Sequence, residues 1–307
     1  MEKELLMHVE ELSVKIAVPT YNAGAQFHNF IKAVLMQNGL LPDDVLVVDS
    51  CSTDQTAELA RKAGFDVQVI FQKNFSHGGT RAMMVERLDA DIVVFLTQDA
   101  VLANENAVRE LVLAFRDEKV GAAYGRQLPT ENTSVFGAFA RSYNYGPCSF
   151  VNELKDREVK GIKTAFLSDS FAAYRKNTLL QVGNFGTELR YGEDTIAAAK
   201  LLLAGYKTAY CANALVYHAH SFTLAEEFAR YYETGKLHKQ QHWLLEKFGK
   251  AEGEGLKYVL AEVKYLNDNG CSILIPLAFL RNVAKFAGYK FGYFIVARLS
   301  RPKSMNF

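Results

Sequence analysis

The sequence predicts an α/β protein, a mostly parallel sheet flanked by helices and followed by a helical C-terminal region. Three observations carry that expectation. Short β-branched runs at 14–18, 45–48, 67–71 and 92–96, with a weaker one at 120–124, are separated by helical patterns near 25–37, 54–63, 79–88 and 105–116. The runs are apolar throughout rather than alternating, which is how strands read when both faces of a parallel sheet are covered. From Thr223 onward the spacing turns helical and stays so.

Taken in order, the first run ends in Thr20, Tyr21 and Asn22, the second in Asp49 and Ser50, and the fourth in Thr97, Gln98 and Asp99. Parallel sheets bind ligands beyond the carboxyl ends of their strands, so these polar residues are the first candidates for a site. Ser52, Thr53 and Asp54 look like an N-cap cluster for the next helix, which makes Asp54 structural. Residues 126–165 are richer in Tyr, Asn, Ser and Gly, lack clear periodicity and read as the loop-rich wall of a cleft. A strand near 165–174, a helix opening at Glu193 and a strand near 207–217 complete a first domain, 1–222, and residues 223–307 form the helical remainder.

Composition narrows the class. With 307 residues the chain can bury a sizeable core without disulfide or metal staples. Cys51, Cys148, Cys211 and Cys271 form no metal-like spacing, which fits a reducing cytoplasm. The opening MEKELLMHVEEL lacks the basic start and apolar core of a secretory signal, and no apolar run approaches the roughly 18 residues that a membrane span needs. A net charge of +1, from 35 basic and 34 acidic side chains, argues against a general nucleic-acid binder. The charge is uneven, however: after Gly270 come Arg281, Lys285, Lys290, Arg298, Arg301 and Lys303 and no acid at all. Interleaved with Ile, Leu, Phe, Tyr and Val from 273 to 299, they read either as helices lying on the cytoplasmic face of a membrane or as a helical cap with a solvated basic face.

Five segments carry candidate chemistry. Asp99, after IVVFLTQ, puts a carboxylate at the mouth of a buried strand, where it either caps a turn or holds Mg²⁺ or Mn²⁺ bridging a diphosphate. Asp49, in VLVVDSCSTDQT, either bonds a ribose or base edge or forms a turn. In NFSHGGTR, two glycines precede Arg81 at a helix start that could favour phosphate, with His77 as a further polar contact; the alternative is a tight turn and a surface ion pair. Glu193 and Asp194 follow Gly192 at another helix start, where acids suit the macrodipole but a carboxylate facing a cleft could also remove an acceptor proton. His218 and His220, in LVYHAHSF, alternate at a strand end and read either as surface residues or as metal ligands on one side.

The order AVPTYNAG, VVDSCSTDQT, NFSHGGTR, FLTQDA, GEDTIAAAKLLLAGYKTAY and VYHAH resembles the family 2 inverting glycosyltransferases with the Rossmann-like GT-A fold. More narrowly, NFSHGGTR and FLTQDA, with ETGKLHKQQHWLLEKFGKAEGEG downstream, are similar to the bacterial rhamnosyltransferase branch. The resemblance implies that Asp99 is the last carboxylate of a DxD-type metal motif, that Asp194 is the base of an ED motif, and that His218, with His220 behind it, reaches the metal or diphosphate. Glu193 stands beside that base, and Pro19, Tyr21, Asp49, His77, Arg81 and Gln98 form the implied donor-contacting set. The implied reaction moves L-rhamnose from dTDP-rhamnose to a hydroxyl of a saccharide or lipid-linked acceptor in bacterial cell-surface polysaccharide synthesis, with Mg²⁺ or Mn²⁺ as cofactor. A UDP-sugar-dependent enzyme of the same fold and a non-catalytic nucleotide-sugar-binding protein are the alternatives. Three positions depart from the pattern: Ser50 and Gln98 replace acids found in many relatives, and Ala82 replaces an Asn after the Arg. GGTR is also similar to a motif of sugar-phosphate nucleotidyltransferases, but there it follows the first strand, whereas here PTYNAG does.

Overall fold

The computed structural model describes residues 12–187, 189, 191–250 and 253–299, of which 296–299 are described by their backbone alone. Apart from Leu12, the N-terminal stretch read above as lacking a secretory signal lies outside the described residues, as do Arg301 and Lys303 and the side chain of Arg298. The chain forms two compact units, one from residues up to 131 with 144–156 and 164–219, the other from 132–143, 157–163 and 220 onward.

The first unit is built on one nine-stranded sheet. Its strands are β1 (Val14–Thr20), β2 (Val45–Asp49), β3 (Asp66–Val69), β4 (Ile92–Leu96), β5 (Val101–Leu102), β6 (Val120–Leu128), β7 (Phe150–Asn152), β8 (Phe171–Arg175) and β9 (Lys207–Tyr217). They lie in the order β3-β2-β1-β4-β8-β6-β9-β5, with β7 also on β9. Strands β1 to β4 pair in parallel, β8 runs against both β4 and β6, and β9 is parallel to β6. Six strands, β1 to β4 with β6 and β9, therefore point one way. The continuous apolar runs VLVVD and IVVFL are buried from end to end, as strands covered on both faces must be.

Helices α1 (Phe27–Leu35), α2 (Thr56–Lys62), α3 (His77–Arg87), α4 (Ala107–Val112), α7 (Lys176–Gln181) and α8 (Glu193–Leu203) belong to this unit. Between α4 and α7 in the chain come α5 (Val135–Asn144) and α6 (Arg157–Lys160). On α1, Phe27, Phe30 and Val34 recur at helical spacing, and the two phenyl rings stack 5.4 Å apart in the core. Burying each such side chain contributes about 1.5–3 kcal/mol.

Residues 126–165 differ from the expected loop-rich wall: β6 continues to Leu128, and α5, β7 and α6 occupy much of the rest. The apolar face of α5 is short, Phe136 and Phe139, so its periodicity is weak amid Ser, Tyr and Asn. The strand expected near 165–174 begins only at Phe171, which leaves 166–170 as a bridging segment. Along β6 and β9 the register jumps from Gly125 opposite Cys211 to Arg126 opposite Leu215. Three extra residues of β9 bulge there, and both strand ends are re-aimed.

The second unit is helical, with α9 (Leu224–Gln240), α10 (Trp243–Phe248), α11 (Glu254–Asp268) and α12 (Ile275–Leu299). A capping box starts α9: Thr223 accepts from the Glu226 N–H, and the Glu226 carboxylate accepts from the Thr223 N–H. Gly235 on α9 and Gly288 and Gly292 on α12 let the two backbones meet, because a Cβ at any of them would strike the opposing main chain.

The basic residues of α12 do not behave as one exposed set. Arg281 and Lys285 are buried and both pair with Glu227, at 2.8 and 3.5 Å. Arg281 also lies over the Phe136 ring and Lys285 over Tyr258, 4.4 and 4.7 Å from the ring centroids. This corrects the expectation that both face lipid or water: the unit encloses them because Glu227 is enclosed with them. The opposite face of α12 is apolar and exposed, with Phe279, Phe286 and Phe294 at 67%, 65% and 59% exposure and Lys290 among them. No helix among the described residues is long and apolar enough to cross a membrane.

Candidate active site

The ends of β1 and β2 are laced together. Asn22, at a φ of 44°, accepts from the Thr53 N–H at 2.8 Å and gives its own N–H to Ser52 Oγ at 2.8 Å. Asp54 accepts from the Gly24 N–H at 2.9 Å and the Thr56 N–H at 3.0 Å, so it joins the two loops as well as starting α2. Asp49 is buried, and its carboxylate accepts from Thr20 Oγ1 at 3.0 Å and from the Ser52 N–H at 2.9 Å. These bonds tie Asp49 into the turn that follows β2.

Gln98 brackets the end of β1. Its Oε1 accepts from the Tyr21 N–H at 2.8 Å and its Nε2 donates to the Tyr21 carbonyl at 3.0 Å. Both amide groups are thus committed to main chain, which fixes the exposed Tyr21 ring and half-buried Pro19 at the strand mouth. Asp99 follows with its carboxylate 41% exposed, 3.5 Å from His218 Nε2.

His218 stands just beyond β9, which ends at Tyr217, at the strand end as expected. The bulge places Gln127 of β6 against it: Gln127 Oε1 lies 2.9 Å from His218 Nδ1, while Gln127 Nε2 donates to Ser168 Oγ at 3.0 Å. With the amide nitrogen engaged, the oxygen accepts from Nδ1–H, and Nε2 is turned toward Asp99. His220, two residues on, packs against Phe222 with ring centroids 5.3 Å apart and the planes tilted by 37°.

A second cluster forms around Arg81 on α3. Its Nε sits 2.9 Å from Asp169 Oδ2, and its Nη1 sits 2.9 Å from Glu193 Oε1 and donates to His77 Nδ1 at 3.2 Å. Tyr174 OH donates to the other Asp169 oxygen at 2.6 Å. Arg81 is buried, and Asp169 and Glu193 balance its charge inside the protein. The glycines of NFSHGGTR are likewise engaged: the Gly78 N–H donates to the Leu189 carbonyl at 3.1 Å and the Gly79 N–H to Ser76 Oγ at 3.1 Å. A Cβ on Gly78 would strike the Gly186 carbonyl oxygen. The glycine pair therefore serves close packing of α3 on the loop before α8, not an anion cradle.

That loop turns at Gly192, φ 74°, and presents Glu193 and Asp194 at the start of α8. Asp194 accepts from the Thr195 N–H at 2.6 Å and from the Asp169 N–H. Burial, with the neighbouring Glu193 charge, pushes the Asp194 carboxyl up to about 6, the range in which a carboxylate is a competent base near neutral pH. Burial also raises Asp169, against the pull of Arg81. Burial and the Arg81 charge push His77 down to about 4, so its imidazole is neutral.

Sequence reasoning missed Gln127, Ser168, Asp169 and Tyr174. The one available signal was an acid flanked by serines, SDS, directly before the apolar FAAY.

The mostly parallel sheet with flanking helices and a helical C-terminal region is a GT-A-type fold. The mannosyltransferase PcManGT from Pyrobaculum calidifontis, solved with GDP-Man and Mn²⁺, shares the fold with a TM-score of 0.60 at 16% identity, over 96% of this chain and 88% of that one. TarS 1–349 of S. aureus does so with a TM-score of 0.57 at 16% identity, over 95% and 93%. The profile of Glycosyl transferase family 2 matches residues 15–183, and the chain belongs to that family. It is 42% identical to the O-antigen chain rhamnosyltransferase RfbN of Salmonella typhimurium, over 92% of this chain and 90% of the relative. To the O-antigen chain rhamnosyltransferase WbaN of Salmonella anatum it is 41% identical, over 91% and 89%.

Proposed function

We propose that this glycosyltransferase moves L-rhamnose from dTDP-rhamnose to a hydroxyl of a saccharide acceptor, with inversion at the anomeric carbon and Asp194 as general base. The observation that carries the reading is Asp194 itself, a carboxyl at the start of α8 that the Thr195 and Asp169 N–H groups orient and whose pKa burial raises. Identity of 42% to a rhamnosyltransferase supports the sugar. Asp194 takes the acceptor proton as the oxygen attacks. The Thr195 and Asp169 N–H groups hold that carboxyl at the helix mouth beside the Arg81–Glu193 pair, and Pro19, Tyr21, Asp49, His77, Arg81 and Gln98 frame the donor side.

Asp99 and His218 fit a divalent cation, Mg²⁺ or Mn²⁺. Their 3.5 Å separation lies within the span of about 3–4 Å expected for two ligands each about 2.1 Å from one ion. His220 is the adjoining candidate in the chain. When bound, such an ion offsets the charge of the departing diphosphate.

A lipid-linked acceptor at the inner membrane face fits the second unit, whose α12 turns phenylalanines and Lys290 outward and Arg281 and Lys285 inward. Residues 1–222 and 223–307 would then divide donor chemistry from membrane contact.

A thermal-shift panel with Mn²⁺ tests the donor, because a ligand that binds only the folded state raises its apparent stability. dTDP-rhamnose should raise Tm and release dTDP on incubation with acceptor. A shift with UDP-sugars alone would replace this donor, and binding without turnover of any sugar nucleotide would favour the non-catalytic alternative.

A further inference from the structure

Segment 168–170, which lies between the two clusters, touches both. Ser168 Oγ accepts from Gln127 Nε2, whose other end fixes His218. The Asp169 N–H bonds Asp194, and the Asp169 carboxylate holds Arg81 and accepts from Tyr174. The Ser170 carbonyl accepts from the Thr97 N–H at 3.4 Å, two residues before Asp99. Asp169 is 3% exposed and Gln127 2%, so neither is an incidental surface contact.

We propose that segment 168–170 is the positioning element of this active site, with Asp169 orienting the base Asp194 and Ser168 orienting the metal-side His218 through Gln127. The proposal rests on the reading of Asp194 as base and Asp99–His218 as metal ligands. Its physical content is that one short rigid stretch, entering the central antiparallel strand β8, sets where the proton leaves relative to where the diphosphate departs. A misplacement of about 1 Å between such groups can cost roughly 10²-fold in rate.

The charged and titratable groups around Asp194 are Glu193 on α8, Arg81 and His77 on α3, and Asp169 and Tyr174 at β8. Asp169→Asn removes one negative charge and leaves Arg81 to Glu193 and Asp194. The ionised form of Asp194 is then favoured, so its pKa falls and it becomes a weaker base.

The test is the pH dependence of kcat together with donor KM and Mn²⁺ affinity by electron paramagnetic resonance, on the full chain. Asp169→Asn should move the acid limb of kcat down by about one pH unit and lower kcat about tenfold, with donor KM and Mn²⁺ affinity within about twofold. Ser168→Ala should do the converse, weakening Mn²⁺ about tenfold with the limb in place. Tyr174→Phe strips from Asp169 the hydroxyl that offsets part of its negative charge, so it should shift the limb slightly upward, opposite to Asp169→Asn, and it serves if Asp169→Asn does not fold. A wild-type limb in a folded Asp169→Asn or Tyr174→Phe protein, or unchanged Mn²⁺ affinity in Ser168→Ala, overturns the proposal. Asp194→Asn separates the cases: full activity there removes the base reading itself, whereas an inactive Asp194→Asn beside a wild-type Asp169→Asn removes only this inference.

Discussion

The Gly78 N–H donates to the Leu189 carbonyl at 3.1 Å, which ties the first turn of α3 to the loop that delivers Glu193 and Asp194. Gly78→Ala would drive a methyl into the Gly186 carbonyl, and backbone cannot step aside as a side-chain tip can. We expect a loss of about 1–3 kcal/mol, from overpacking, and a fall in kcat as the acid-bearing loop shifts. Urea denaturation measures the first and steady-state kinetics the second. Gly79→Ala, whose new Cβ meets Ser76 Oγ at 2.6 Å, should cost less because a hydroxyl can rotate away.

Asp194→Asn should leave donor binding nearly intact and lower turnover by roughly 10²–10⁴-fold. In the wild type, turnover should rise through about pH 6, since burial and Glu193 raise this carboxyl and it accepts a proton only when ionised. Near-normal turnover in the variant, by a coupled assay of nucleotide release, would remove Asp194 from the mechanism.

Asp99→Ala should weaken Mn²⁺-dependent binding of nucleoside diphosphate and abolish transfer, because the adjoining Gln98 is committed to the Tyr21 main chain and cannot replace the carboxylate. Calorimetric titration with and without Mn²⁺ reads the binding. Full wild-type activity in EDTA would sink the metal assignment.

Arg281→Ala removes the closer of two cations from buried Glu227 and leaves Lys285, 3.5 Å away, to pair with it. Breaking a buried pair costs about 3–5 kcal/mol, and Lys285 should reduce that toward the lower end. Chemical denaturation gives the value; a change below about 1 kcal/mol would mean that the pair is solvated in solution.

Vesicle flotation tests the outward face of α12. The double variant Phe279→Ser, Phe286→Ser should lose binding to anionic vesicles at low and at high salt, because the contact is apolar more than ionic. Binding that vanishes with salt and ignores the phenylalanines would return the role to exposed lysines.

The sheet core was legible because β2 and β4 are unbroken apolar runs, and burial on both faces leaves that mark directly in sequence. Strands β5 and β7, two and three residues long, carry no period to read. Asp99, Asp194 and His218 could be picked out by their order along the chain. Gln127 and Asp169 could not, since a neutral amide in a strand and an acid before one look alike whether they face water or the interior. The same blindness misplaced Arg281 and Lys285: their partner Glu227 is 54 residues from Arg281, and only the packed helices reveal that the charges face inward.

Contact between α3 and the 186–189 loop links two stretches more than a hundred residues apart, because Ser76 Oγ also donates to the Thr187 carbonyl. Homologous recombination would feel that link. A chimaera whose crossover falls between 88 and 185 takes its glycine-rich helix from one parent and its acid-bearing loop from the other, and must fit them anew. Crossovers before residue 76 or after 203 inherit both together and leave that fit undisturbed.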